Sequence, residues 1–401
     1  MTDARPAPSS RRAAGVLVTG ASGTIGRAVV DALVEAGEPV VAGMRDPRAW
    51  IADGARRASG ISAGGASRTS GGAAAGSGFG GSGASGVGGR AGGGRPESSG
   101  PGRPLGKPSR APNQKPLQNP TRKPGTTVGP AATAANGRPG ALPAAGHPGQ
   151  TVASALPAGA QAATVRAFDF ADRGTWASAL AGVDRVFLVL PPTVGEVGRT
   201  LIPFIDTAME SGVRQIVFLS QQGVPLQARS PQHDVERYLK RTRTPYTVLR
   251  PNVVLQSLSS TYRDDIRRRR EIALPAAAAH VAFVDARDVA RVAARVLGES
   301  GHLRKSYALS GEQALGYTQV AELLGEVLDR PIRYTPTTDA DFEQRLAGLG
   351  ASPTEIARQA SLFRSVRLRA LRLPNRSIRR LTGRPATTVR RFIEDHRDSW
   401  L

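Results

Sequence analysis

Gly20, Gly23 and Gly26 stand three residues apart in GVLVTGASGTIGRAVV, residues 15–30, between an apolar run of strand length and the start of an amphipathic segment. A strand that runs straight into a helix leaves the first helical amides without carbonyl partners. Those amides, together with the helix dipole, attract an anion. The glycines divide the work: Gly20 permits the tight turn, Gly23 lets the backbone approach a pyrophosphate, and Gly26 lets helix and sheet pack closely. Ser22 and Thr24 add hydroxyl donors, and Ile25 belongs to the same candidate phosphate loop. In a chain with 47 glycines an ordinary strand-to-helix turn is the plain alternative. Position favours the dinucleotide, because about 20 residues further on a second apolar run ends in AGMRDP. The first residue past that run is Arg45, with Asp46 behind it. An acid there accepts the ribose hydroxyls of NAD, whereas an arginine pairs with the 2'-phosphate of NADP. The order Arg-Asp favours NADP and leaves NAD open, as does an Arg that is simply exposed beside a turn-forming Asp-Pro.

Such a turn needs a parallel sheet behind it. Apolar runs at 15–19, 39–44, 164–168, 185–190, 215–220, 246–250 and 281–284 predict strands. Amphipathic segments at 26–36, 173–180, 195–210, 233–240, 288–297 and 318–328 predict helices. The alternation predicts an α/β fold, a doubly wound Rossmann-type parallel sheet covered by helices. After about Tyr307 the pattern becomes mostly helical, with a short strand at PIRYTP, and a C-terminal part of this kind commonly shapes the substrate pocket.

The chain has 401 residues, but from 54 to 162 it is almost wholly Gly, Ala, Ser, Pro and Arg, too poor in large apolar side chains to offset the entropy of ordering it. This predicts a disordered N-terminus at 1–13, the first part of the NAD(P)-binding domain at 14–53 and a disordered insertion at 54–162. The rest of that domain follows at 163–300, with a C-terminal substrate-binding region at 301–401. Lengthening a loop of about ten residues more than tenfold costs only about 2 kcal/mol of closure entropy. The net charge of +22 invites a nucleic-acid reading, yet residues 56–138 carry 12 basic side chains against one acid, so half of the excess sits in the insertion. No specific nucleic-acid binding is expected. With no cysteine and five scattered histidines, no metal site is expected either. No apolar run reaches 18 residues and the N-terminus has no signal-peptide pattern, which predicts a cytoplasmic protein without a membrane partner. The oligomeric state is not legible.

The Gly-x-x-Gly-x-x-Gly spacing resembles the short-chain dehydrogenase/reductase superfamily. FDFADRGTWASALAGVDRVFLVLPP, VRQIVFLSQQGV, HDVERYLKRTRTPYTVLRPN and VAFVDARDVARVAARVL resemble successive blocks of its atypical, NmrA-like members, and YALSGEQALGYTQVAELLGEVLDRPIRY with LTGRPATTVRRFIEDH resembles their C-terminal region. The resemblance covers nearly everything except the insertion and the first dozen residues. It implies an NAD(P)-binding fold with Asp169 and Phe170 at the adenine edge, and with Leu190, Pro191 and Pro192 beneath the cofactor. It also implies that Ser220 closes the fifth strand and that Arg250 to Asn252 lie near the nicotinamide. On the residues alone, Asp169 is equally a polar loop residue and Pro191-Pro192 a strand terminator. The substrate pocket is expected around Asn252 and Gln256, under the helical tail.

Typical members of the superfamily reduce carbonyls with a Tyr-x-x-x-Lys pair, and this chain has none: outside the insertion only Lys240 and Lys305 occur. Thirteen residues past Ser220, where the tyrosine would fall, stands His233, with Glu236 at i+3. An imidazole there supplies a proton donor near neutral pH, oriented by the carboxylate. The alternative is a polar helix start, with Glu236 paired to an arginine. Two function classes stay open: an NAD(P)H-dependent oxidoreductase acting on a small, quinonoid or aromatic molecule, and a non-catalytic dinucleotide sensor that binds a regulatory partner. The reading of Arg45 has a direct test. NADPH is expected to bind about 10- to 150-fold more tightly than NADH, the equivalent of a charge-assisted contact of roughly 1.5–3 kcal/mol. Titration of both nucleotides should give nearly equal affinities in Arg45→Ala. A preference unchanged by that substitution would mean that another residue reads the ribose.

Overall fold

The computed structural model describes residues 14–48, 50, 150–151, 163–191, 194, 196–227 and 230–401, all within one of the two units into which the chain divides. In chain order the first elements are β1 (Gly15–Thr19), α1 (Thr24–Glu35), β2 (Val40–Met44), β3 (Gln150–Thr151), β4 (Thr164–Ala167), α2 (Trp176–Leu180), β5 (Val183–Val189), α3 (Leu201–Glu210), β6 (Gln215–Leu219), α4 (Pro231–Arg241) and β7 (Tyr246–Pro251). Then come α5 (Gln256–Ser259), β8 (Glu271–Leu274), β9 (His280–Val281), α6 (Ala286–Gly298), β10 (Lys305–Leu309), β11 (Leu315–Gly316) and α7 (Tyr317–Leu328). The chain ends with β12 (Arg333–Pro336), α8 (Asp339–Gly348), α9 (Pro353–Arg367), α10 (Ser377–Thr382) and α11 (Val389–Asp395).

Eight strands form one sheet in the order β10-β7-β6-β5-β1-β2-β4-β3, parallel throughout except for β3. The doubly wound parallel sheet expected from the sequence is therefore present. Every residue of β1 and β2 is buried, as a strand covered on both faces must be. Val16 and Val18 face a core shared with Val29 and Leu33 of α1 and Val289, Val292 and Val296 of α6. Leu17, on the other face, joins Phe204 and Ile205 of α3 and Val235 and Leu239 of α4. The order of strands reverses between β1 and β5, and at such a switch point the loops after neighbouring strands diverge and leave a crevice. The Thr19 hydroxyl holds that point together: it donates to the Phe187 carbonyl at 3.2 Å and accepts from the Val189 amide at 2.9 Å.

Two expectations are corrected, and one segment gains a detail. The stretch 281–284 is not a strand of the main sheet. His280–Val281 pairs with β11, and Val284 makes a single bridge to Val254. The place beside β7 is taken by β10, whose edge position leaves it half-exposed and so without an apolar run. Within the stretch read as a disordered insertion, residues 150 and 151 pair with Val165 and Thr164, satisfying the free edge of β4. The N-terminus at 1–13 and the rest of that insertion lie outside the described residues. Finally, α3 starts at Leu201 rather than near 195, because Pro203 lacks an amide and fits only in a first turn.

The C-terminal part does not begin cleanly at 301. Its core unites Leu255, Tyr262, Ile272, Phe283, Tyr317, Phe342, Phe363 and Phe392, so residues 253–283 leave the sheet, and the chain returns for α6 and β10 before the helical tail. Trp400 is fully buried, and its indole N–H donates to the Leu258 carbonyl at 3.0 Å.

Candidate functional site

The glycine turn sits at the carboxyl end of β1, in the crevice of the switch point. Gly20 has φ +63°, the left-handed conformation that favours glycine. A Cβ on Gly26 would lie 2.2 Å from the Gly20 carbonyl oxygen, so only glycine lets α1 fold back this closely on the turn. Gly23 is the N-cap, without a capping side chain. Among the described residues no protein acceptor takes the amides of Ser22, Thr24, Ile25 or Gly26. The Ser22 and Thr24 side chains are exposed. Four unspent amides on the positive end of a twelve-residue helix fit a dinucleotide pyrophosphate.

Around this turn the structure gathers the residues that end the central strands. Ile25, Val189, Leu190, Ser220, Gln221, Gln222, Pro251, Asn252 and Leu371 are among those lining a cavity of about 280 Å³. It shares Leu190, Gln221, Gln232 and Arg358 with a second, larger one of about 780 Å³, which Pro191, Val194, Gln227, Ser230, Pro231, Pro353, Thr354, Ala357 and Ser361 complete. The two chambers thus adjoin at these four residues and together form a cleft between the strand ends and α9. The Gln222 side-chain oxygen is buried without a partner, and an amide left so costs about 1–3 kcal/mol until a ligand meets it. It stands, like the free amides, as a group that suits a bound nucleotide.

Under the cleft lies a buried ion pair. Glu236, on α4, accepts from the Ser220 hydroxyl at 2.7 Å and from Nε of Arg250 at 2.9 Å, with Nη2 of Arg250 on its other oxygen at 2.5 Å and Lys240 at 3.7 Å. Burial raises the Glu236 pKa, but the hydrogen bonds from Arg250 and Ser220 and the charges of Arg250 and Lys240 outweigh it, holding the carboxyl below the ordinary glutamate range.

Other residues named from the sequence fall differently. Arg45 is exposed directly after β2 and has no ion-pair partner among the described residues. Asp169 is half-buried and its carboxylate accepts from the Ala171 amide at 2.9 Å, closing its own turn. The Phe170 ring is spent on the core, edge-on to Phe168 and Phe204, and offers no face to an adenine. Pro192 lies outside the described residues. Asn252 lines the cleft, yet its side chain is committed to the backbone, donating to the Leu371 carbonyl and accepting from the Val253 amide. Gln256 is likewise committed to Asp285 and the Ala286 amide at the start of α6, so it serves the fold and not the pocket.

The expectation for His233 is corrected. Its side chain lines a separate hollow with Pro225, Glu236, Arg237, Lys240 and Arg241, and its Nδ1 is buried without a partner. Gln232, one step round the helix, is the residue turned to the cleft. Glu236 serves Arg250 and Ser220 rather than the imidazole. The residues that sequence reasoning missed are those of α9. Thr354, Ala357, Arg358 and Ser361 lie at i, i+3, i+4 and i+7 on one helix face, but none is a large apolar residue, so no hydrophobic periodicity marks that face in the sequence. Among the described residues there is no cluster of potential metal ligands, and no helix is long and apolar enough to cross a membrane.

The Glu236 network sets a pH dependence. Because the folded carboxyl titrates below the ordinary glutamate value of 4.5, its stabilisation is complete above that value and is lost as pH falls through 4.5 towards the folded pKa. Urea unfolding of Glu236→Gln at pH 7 should show a loss of about 3 kcal/mol or more, since Arg250 is left unpaired. Between pH 5 and pH 3 the mutant should lose less stability than the wild type. Equal acid losses in the two proteins would remove Glu236 as the responsible group.

The likeness to known proteins agrees with this geometry. The NmrA-like family profile matches residues 150–367. The chain is 28% identical over 248 residues to the NAD(P)H azoreductase of Xenophilus azovorans, covering 61% of this chain and 86% of that one. It is 30% identical over 250 residues to the agroclavine dehydrogenase of Claviceps fusiformis, covering 59% and 84%. In fold it is similar to the NADPH-dependent quinone oxidoreductase of Escherichia coli complexed with NADPH, with a TM-score of 0.60 at 19% identity over 95% of this chain and 99% of that one. The chain belongs to the NmrA-like family.

Proposed function

We propose that this protein is an NADPH-dependent reductase of a small, flat quinonoid or aromatic molecule. The observation that carries the reading is the juxtaposition of the two chambers: the apolar one of about 780 Å³ adjoins, at Leu190, Gln221, Gln232 and Arg358, the one at the strand ends beside the free amides of the glycine turn. The azoreductase and the quinone oxidoreductase it resembles use the same type of cofactor on acceptors of this kind. Bound NADPH supplies a hydride, the chemistry that the protein itself lacks.

The chain's own residues bind, orient and exclude water. The amides of Ser22, Thr24, Ile25 and Gly26 hold the pyrophosphate, and Arg45 takes the 2'-phosphate. Asp169 and its turn border the adenine through backbone and carboxylate. Ile25, Val189, Leu190, Pro191 and Pro251 form the apolar walls that would hold the nicotinamide and the acceptor. Ser220, fixed by Glu236, keeps the end of β6 rigid beneath them. Reduction of a quinone takes one hydride and one proton. Among the described residues that line the cleft no histidine or carboxylate occurs, so the proton comes from water.

The test is consumption of NADPH with 1,4-naphthoquinone. Oxidation should be stoichiometric with quinone reduced, and kcat should stay flat from pH 6 to pH 8. His233→Phe should retain turnover within about threefold, where loss of a general acid costs about 10²–10⁴-fold. Bound NADPH that no quinone or azo dye oxidises would overturn the reading and favour a dinucleotide sensor.

A further inference from the structure

Arg358 is the one charged side chain among the described residues lining either chamber of the cleft, and it lines both. It stands where they meet, with Leu190, Gln221 and Gln232. The Arg358 side chain is 42% exposed, so the guanidinium is reachable from the cavity rather than sealed behind its wall.

Its orientation is fixed from outside the cavity. Nε donates to Oε2 of Glu355 at 3.0 Å and Nη2 to Oε1 at 2.5 Å, a two-pronged pair across one turn of α9. Glu355 lines neither chamber and is itself held: its amide donates to the Ser352 hydroxyl at 3.2 Å, and Nε2 of Gln359 donates to its carboxylate at 3.2 Å. Burial would raise the Glu355 pKa, but the hydrogen bond and charge of Arg358 outweigh it and keep the carboxylate ionised. The pair leaves Nη1 of Arg358, with both its N–H groups, without an acceptor among the described residues. The first turn of α9, at Pro353 and Thr354, lines the same large chamber and adds the positive end of a fifteen-residue helix.

We propose that Arg358 is the specificity-determining residue of the cleft and that the acceptor is a flat aromatic molecule carrying an oxyanion, a carboxylate or a sulfonate. The inference rests on the reductase reading and names the substrate class of that site. The aromatic body lies on Leu190, Pro191 and Val194, and the oxyanion takes the N–H groups of Nη1 at the junction of the chambers. Because Glu355 already holds the guanidinium in place, little rotamer freedom is lost when the ligand binds. A neutral isostere keeps the apolar contacts and forgoes the charge-assisted bond.

Binding of molecules that cannot be reduced separates this claim from catalysis. Naphthalene-2-sulfonate and its neutral sulfonamide, and 2-naphthoate and its amide, are titrated by calorimetry into the NADPH-saturated protein. Wild type should bind each anion at least tenfold more tightly than its neutral partner. In Arg358→Gln the ratio should fall to about one, and in Arg358→Lys to an intermediate value, with circular dichroism confirming that each variant is folded. The same ratio in Arg358→Gln as in wild type would assign any preference to the general positive charge of the protein, and a ratio near one in wild type would overturn the proposal outright. If the preference is present and disappears in Arg358→Gln while no acceptor ever oxidises NADPH, the oxyanion site stands and only the reductase reading falls.

Discussion

Everything in the candidate site is set out from one close approach, that of Gly26 to the carbonyl of Gly20. A methyl group at position 26 would meet that oxygen at 2.2 Å, so α1 can begin directly at the end of β1 only while both positions stay glycine. That closeness leaves four amides unspent and aims them at the switch point between β1 and β5. Thr19 ties the last turn of β1 to Phe187 and Val189, and the residues that follow β5, Leu190 and Pro191, become the floor of the cleft.

The second constraint lies one layer lower. Glu236 joins α4 to the ends of β6 and β7 through Ser220 and Arg250, and Asn252 joins β7 to the C-terminal segment through the Leu371 carbonyl. Both links are buried, where a hydrogen bond that loses its partner is costly. The cleft is therefore bounded on one side by the sheet and on the other by α9, with polar groups behind its walls committed to holding them. What remains available to a ligand is apolar surface, the free amides of the glycine turn, the Gln222 side-chain oxygen, the Thr354 and Ser361 hydroxyls and Arg358.

The sequence made the turn and the sheet legible because their signals are local. Three glycines, a buried run before them and an amphipathic run after them occupy sixteen consecutive residues, and no distant contact is needed to read them. The strand β10 was not legible, since KSYAL lies at an edge, is half-exposed and lacks the apolar signature, whereas VAFV is apolar because it sits between the sheet and the C-terminal core. His233 shows another limit. Spacing from Ser220 put it at the right height on α4, but the phase of a helix changes by about 100° per residue. That phase was set by Val235 and Leu239 packing on the sheet, which turned Gln232 inward instead. Gln256 and Phe170 have commitments the sequence does not show, because only the folded structure reveals that Asp285 and Phe204 claim them. The α9 face carries no apolar periodicity and lies about 330 residues from the glycine turn, so nothing local says that the two meet.

The claim that the free amides of the glycine turn hold a pyrophosphate is tested most directly by calorimetric titration of NADPH into wild type and Gly23→Asp. Position 23 has φ −80° and ψ 164°, which aspartate adopts readily, and as an N-cap it would itself accept from the free amides and support the helix. The expected result is a melting temperature within a few degrees of wild type together with NADPH affinity weakened by about 100-fold or more, because the carboxylate occupies and repels the phosphate position. Equal NADPH affinity in the two folded proteins, or no saturable binding in the wild type, would contradict it.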